Sequence, residues 1–233
     1  GWHHLGDDSV IPYSWDPYVW EWDCSSVSDQ VVWLTIHVWD NAGNETVDPG
    51  GHISVTLDTT PPSGQILTPA EGAFLNEDAV YIEAEAFDNL GIDEVQFFAW
   101  YDDDWRYIDS DTDGSDGYQA TWDAGGLSDR SGIWLDALIL DRADNRWDAT
   151  VENLTLDRTS PIGSVSVNGG ATYAVSTAVT LNLVGTDEIA GVERVMASND
   201  ADFSGATWVD YATSLDWTVA AGDGTKIVYV KFR

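Results

Sequence analysis

The residues of this sequence that can do chemistry are oxygen donors placed where one run of alternating hydrophobicity ends and the next begins. Asp88-Asn89 follows one such run, Asp141-Arg142-Ala143-Asp144-Asn145 follows another, and Asp58 ends a third just before Pro61-Pro62. Carboxylate and amide oxygens drawn from several loops are what Ca²⁺ takes, six to eight of them at about 2.3–2.6 Å. Asp and Asn also occupy turns for a plainer reason, since they cap them and tolerate left-handed backbone. Asp157, Asp187 and Glu188 make a second, partial set with the same placement. Asp109-x-Asp111-x-Asp113-Gly114 begins like a calcium loop, but Ala120 stands where the closing bidentate acid belongs, so it reads as a solvated acidic hairpin.

Aromatic residues form the other candidate. Thirteen tryptophans are many for 233 residues. Trp22, Trp122 and Trp217 recur at one place in the pattern and read as packing. Trp33, His37 and Trp39 share the outward parity of their run, as does Trp134 in its own, and exposed rings of this kind suit stacking on sugar rings or burial against a neighbour. The alternative is that adjoining strands or loops cover them. Catalysis has no comparable signature: the four histidines lack metal spacing, and GxSxG, HExxH and CxxC are absent.

The elements that must position these residues are short strands. Ala79–Phe87 alternates Val80, Ile82, Ala84 and Ala86 against Glu83 and Glu85, the pattern of a half-buried strand. The spacing predicts further strands over Trp2–Leu5, Tyr18–Trp22, Val31–Trp39, His52–Leu57, Ser63–Leu67 and Val95–Tyr101, and an inward face of Leu34, Ile36 and Val38 repeated by Leu135, Ala137 and Ile139. Asn168-Gly169-Gly170 signals a hairpin. No amphipathic helix is expected, and no apolar run approaches the ~18–20 residues of a membrane span, so direct membrane insertion is not expected.

Leu57-Asp58-Thr59-Thr60-Pro61-Pro62 returns as Leu156-Asp157-Arg158-Thr159-Ser160-Pro161. Proline cannot donate to a ladder and pushes its predecessor extended, so each copy is a stiff linker. A fixed repeat outranks residue-level readings. The expected organisation is residues 1–58 as the C-terminal part of one domain, 59–158 as a complete domain, and 159–233 as a domain lacking its last strand.

Charge narrows the partners. Forty-one acidic residues against nine basic ones leave a net charge of −32. Such a surface repels phosphate backbones, which excludes nucleic acid, and repels itself unless cations are present. A saline setting and bound divalent ions both answer that. Cys24 is the only cysteine, so no disulfide forms within the chain.

Short strands with turn signals between them, in roughly a hundred residues, fit a two-sheet sandwich. Asp88-Asn89-x-Gly91-Ile92-x-x-Val95, Trp122-Asp123, the Asp40–Asn44 turn and the linker at 58–62 together resemble the tandem bacterial immunoglobulin-like (fibronectin-like) domains of secreted and cell-surface proteins. The resemblance implies an all-β array of immunoglobulin-like sandwiches. In that fold the turns after the second and sixth strands and the incoming linker share one end, which would gather Asp58, Asp88, Asn89, Asp141, Asp144 and Asn145. It also implies a non-enzymatic extracellular role as stalk, spacer, fibre or adhesive unit, possible calcium at the linkers, and neighbouring domains or homomers as partners. Glycan binding through the outward aromatics, and service as accessory region of a secreted carbohydrate-active or proteolytic enzyme, are the alternatives. The fold does not choose among them.

Overall fold

The computed structural model describes residues 2–7, 21–48 and 50–233, and among these there are eighteen strands and no helix. The first four are β1 (Gln30–Leu34), β2 (His37–Trp39), β3 (Glu45–Val47) and β4 (Ile53–Leu57), with β1 antiparallel to β4 and β2 antiparallel to β3. The single strand expected over Val31–Trp39 is therefore two. The break has a cause on the partner side, where β3 ends at Val47 and β4 begins only at Ile53. Asp48 adopts φ +55°, donates its N–H to the Ile36 carbonyl at 2.7 Å and accepts the Thr35 hydroxyl at 2.8 Å, which turns both strands at the same level.

The inward face expected of Leu34, Ile36 and Val38 does not form either. Ile36 is 62% exposed and Val38 48%, because no second sheet among the described residues packs on these strands. Residues 2–7 form no strand, contrary to the expectation for Trp2–Leu5. The strand expected over Tyr18–Trp22 falls largely outside the described residues.

From Ser63 to Leu156 the chain builds a complete sandwich. Its strands are β5 (Ser63–Thr68), β6 (Phe74–Leu75), β7 (Ala79–Phe87), β8 (Ile92–Tyr101), β9 (Asp104–Asp111), β10 (Tyr118–Asp123), β11 (Arg130–Asp141) and β12 (Arg146–Leu156). One sheet has the order β10-β7-β5; the other is β6-β12-β11-β8-β9, antiparallel except where β6 runs parallel to β12. The alternation in each strand sends every second side chain between the sheets. Val80, Ile82 and Ala84 from β7 meet Val95, Phe97 and Ala99 from β8 and Leu135, Ala137 and Ile139 from β11, with Trp122 closing the layer at 4% exposure. Each large side chain buried this fully contributes about 1.5–3 kcal/mol. Gly64 lets the sheets meet tightly at one edge, since a Cβ there would lie 2.3 Å from the Glu85 carbonyl and 2.5 Å from Ile139.

The remaining strands are β13 (Ile162–Val167), β14 (Ala178–Thr186), β15 (Arg194–Ser198), β16 (Val209–Asp210), β17 (Ser214–Thr218) and β18 (Tyr229–Phe232). They form sheets β13-β14-β17 and β16-β15-β18, the same order as their counterparts in the preceding sandwich. Val179, Leu181, Leu183, Val195 and Ala197 are their buried centre, covered by Trp217, Val228, Val230 and Phe232.

Register decides which loops meet. Ser63 pairs with Phe87, and Asp141 with Ile92. The start of β5, the turn from β7 to β8 and the turn from β11 to β12 therefore lie at one end of the complete sandwich.

Candidate metal centre

Three carboxylates converge at that end. Asp58, Asp88 and Asp141 each offer an oxygen within 4.8 Å of the others. Two ligands of one calcium ion, each at about 2.4 Å, lie no further apart than about 4.8 Å, so the three fit a single ion's shell.

Each is held by its own turn. Asp141 is the most buried, 1% exposed; its Oδ1 accepts the N–H groups of Ala143 at 2.7 Å and Asn145 at 2.9 Å, and its Oδ2 accepts the Asn145 amide at 2.8 Å. Asp88 Oδ1 accepts the N–H groups of Leu90 at 2.7 Å and Gly91 at 2.8 Å, a turn that needs glycine because Gly91 sits at φ +112°. Asp58 Oδ1 accepts the Thr60 N–H at 3.2 Å. The second oxygens of Asp58 and Asp88 are buried with no hydrogen-bond donor. Burial, followed by the charges of Asp88, Asp141 and Asp29, holds the Asp58 carboxyl above its ordinary range. Buried carboxylate oxygens without donors are costly unless a cation meets them.

Of the other residues expected here, Asn145 lies in the centre but presents its amide, donating to the Asp58 carbonyl at 3.2 Å as well as to Asp141. Asn89 turns to the side and donates to Asp29 at 3.3 Å. Asp144 is exposed at φ +65°, outside the group of converging carboxylates.

Asp29 is a participant outside the residues expected here. Its Oδ1 accepts both the N–H and the hydroxyl of Thr59 at 2.8 Å, and its Oδ2 accepts the Thr60 hydroxyl. These bonds, led by the Thr60 hydroxyl, bring its carboxyl down to about 2. Its counterpart Asp129 accepts the Thr159 hydroxyl in the same way. The repeat period was the signal that would have found the pair.

At the second linker Asp157 and Asp187 lie side by side, both accepting the Ala190 N–H, at 2.9 and 3.0 Å. Glu188 is exposed. Arg158 ion-pairs there with Asp78 and with Asp129, the latter at 3.6 Å, so this linker carries its own cation. In the acidic hairpin, Asp111 and Asp113 spend their oxygens on the N–H groups of Asp113, Gln119 and Ser115, which is turn capping.

The outward aromatics divide. Trp33 is 52% exposed and Trp39 57%, with His37 tilted against Trp39 at 5.8 Å and bonded to Glu45 at 2.7 Å. Trp134 is half-buried, its ring 6.4 Å from that of Trp100.

No curated protein sequence matches the chain. Among solved structures, fibronectin(III)-like modules of Clostridium thermocellum CbhA are 16% identical over 69% of this chain and 80% of theirs, with a TM-score of 0.47. A tetra-tandem repeat from the extending region of a large adhesion protein is 20% identical over 90% of this chain and 50% of its own, with a TM-score of 0.36. A Ca²⁺-stabilized adhesin that helps an Antarctic bacterium bind ice is 14% identical over 90% of this chain and 56% of its own, with a TM-score of 0.33. The family model of the bacterial Ig domain matches residues 62–132. Those residues supply β5 to β10 and the start of β11, so over most of its strands the complete sandwich is similar to the bacterial Ig domain.

Proposed function

We propose that the chain is a non-enzymatic, extracellular structural array in which three immunoglobulin-like units, 1–58, 59–158 and 159–233, act as stalk, spacer or adhesive fibre of a larger surface or secreted protein. Calcium braces the first linker. The observation that carries this reading is the convergence of Asp58, Asp88 and Asp141, two of them with buried oxygens that no donor reaches. Bound there, calcium supplies positive charge and fixes the linker carboxylate of Asp58 against the turns that carry Asp88 and Asp141. The chain's own part is to hold the three carboxylates in place through Asn145, Gly91 and Thr60 before any ion arrives. Thermal melts in millimolar Ca²⁺ and in EDTA, at one ionic strength, test it. The midpoint rises with calcium; an unchanged midpoint removes calcium from the reading and leaves general screening of the net charge.

A second reading is favoured by the exposure of Trp33 and Trp39. In it, Trp33, His37, Trp39 and Trp134 form glycan-contacting surfaces. A glycan array probed with the chain and with its Trp33→Ala, Trp39→Ala variant separates it from the first: binding lost in the variant supports it, and no binding by either rejects it.

A further inference from the structure

The outer face of the five-stranded sheet brings carboxylates and aromatic rings together away from the metal centre. Cross-strand register sets Phe98 between Tyr107 and Asp136, and Trp100 between Trp105 and Trp134; beyond them Asp136 faces Thr150 and Leu138 faces Asp148. Phe98, Trp105, Asp136, Leu138, Asp148 and Thr150 line a groove of about 390 Å³. Phe98 and Trp105 supply the rings of the groove, and each is held by a neighbour, Phe98 by Tyr107 at 72° and Trp105 by Trp100 at 60°, with Trp134 tilted at 32° to Trp100 behind them.

Asp136 is only 9% exposed, and its single hydrogen bond among the described residues is the one its Oδ1 accepts from the Thr150 hydroxyl at 2.8 Å. No ion pair among the described residues engages Asp136 or Asp148, although the two are near enough for Asp148, after burial, to raise the Asp136 carboxyl above its ordinary range. Its Oδ2 takes no hydrogen bond among the described residues and is left to meet a donor in the groove.

We propose that this groove docks an arginine side chain presented by a basic partner protein. Charge complementarity selects a cation, since two carboxylates face the groove and the chain as a whole carries −32. That same charge opposes a second copy of this chain as the occupant. The Phe98 and Trp105 rings beside those carboxylates select a cation that gains from ring faces. Among side-chain cations, the guanidinium is planar, weakly hydrated and able to meet a carboxylate through two N–H groups while stacking on an indole, which an ammonium does not do. The proposal concerns a different surface from the linker site and does not depend on calcium.

The test is an NMR titration of the full chain, following the indole N–H signals, with a hexa-arginine peptide and with hexa-citrulline as its neutral isostere. Hexa-arginine shifts the signals of Trp100, Trp105 and Trp134, and hexa-citrulline does not. Asp136→Asn and Trp105→Ala each weaken hexa-arginine about tenfold, a change of about 1.4 kcal/mol, whereas Asp113→Asn, which removes a charge elsewhere, leaves it unchanged. Trp105→Phe replaces Trp105→Ala if the latter loses its amide dispersion. Equal affinity of the parent, Asp136→Asn and Trp105→Ala chains overturns the proposal by reducing the attraction to net charge. Shifts of the same indoles by cellohexaose or maltohexaose, without a response to hexa-arginine, overturn it in favour of a sugar site.

Discussion

Asn145 donates its side-chain amide to the backbone carbonyl of Asp58, 87 residues earlier in the chain, at 3.2 Å, and to the Asp141 carboxylate at 2.8 Å. One amide thus ties the linker to the turn from β11 to β12. The corresponding turn in the first segment has the same internal bonds, Asp40 accepting the N–H groups of Ala42 and Asn44 and the Asn44 amide. Asp40, however, is exposed and Asp141 is not. The turn is a self-capping unit that becomes a candidate ligand only where a linker and a second turn arrive beside it.

Neutralising one acid of that group separates the two effects of calcium. Asp88→Asn keeps an acceptor for the Leu90 and Gly91 N–H groups but removes a charge from three carboxylates that repel one another. The variant is expected to melt higher than the parent in EDTA and to gain little from Ca²⁺. In the parent, calcium at 100 times its Kd adds about 2.7 kcal/mol, which is of order 10 °C for a domain of this size. Scanning calorimetry of both chains in EDTA and calcium reads the difference directly. A variant that gains as much as the parent would place the ion elsewhere.

The acid side of the stability profile follows from two shifts of opposite sign at the same linker. Asp29 is held down to about 2 by its bonds to Thr60 and Thr59. Its contribution is therefore present above the unfolded value of about 3.9 and is lost as pH falls towards 2. Asp58 is shifted upward. Its contribution is present below about pH 3.9 and is lost as pH rises through its raised folded value. Asp136, raised by burial, acts in the same sense as Asp58. In EDTA, mild acidification from pH 7 is expected to stabilise the chain before stronger acid destabilises it, and saturating calcium should remove the Asp58 share of the rise by holding that carboxyl ionised, leaving the Asp136 share. Melting points at half-unit pH steps, with and without calcium, check the sign.

Much of the framework was legible because the core strands alternate cleanly. In β7, Val80, Ile82 and Ala84 are buried and Glu83 is not, as a period of two requires. The repeated Asp-x-x-x-Asn and linker motifs also pointed to the end of the sandwich where Asp58, Asp88 and Asp141 lie together. Asp29 was legible only through the repeat that pairs it with Asp129, since a lone acid before a strand has no signature of its own and gains its role from Thr59 and Thr60, 30 and 31 residues later. The split of Val31–Trp39 into β1 and β2 was hidden for a similar reason: the irregularity lies in the partner segment at Asp48. The groove face was half seen. Trp134 has an outward parity that the sequence displays, but Trp100 and Trp105 become its neighbours only through the register of β8, β9 and β11.

The Asp29 bonds should be visible in the Thr59 amide. Its N–H donates to Asp29 across 30 residues, so it is protected from exchange only while the two segments stay together. Asp29→Ala is expected to raise the Thr59 exchange rate by about an order of magnitude, since the amide loses its charge-assisted acceptor. Thr159, bonded to Asp129, should be unchanged. Exchange at both threonines in parent and variant is the measurement, and an unaltered Thr59 would mean that the linker is ordered without Asp29.

Residues 59–158 should fold alone. The sandwich from β5 to β12 has its own closed core, with Ile82, Phe97, Leu135, Ile139 and Leu154 fully buried against one another and not against the flanking segments. Such a core supports an independent two-state transition. Leu135 is the sharpest probe, because it lies mid-strand in β11, opposite both Ala99 of β8 and Val151 of β12. Truncating it to alanine leaves a cavity that backbone pairing on both sides keeps from collapsing, and the expected loss is about 2–5 kcal/mol. Leu138 on the outward face of the same strand is half-buried, so Leu138→Ala should cost clearly less. Urea unfolding of the isolated fragment and both variants tests the boundary and the core together. Equal losses for the two leucines would show that the inner layer is not the centre of stability, and a fragment without cooperative unfolding would show that the flanking segments are part of the domain.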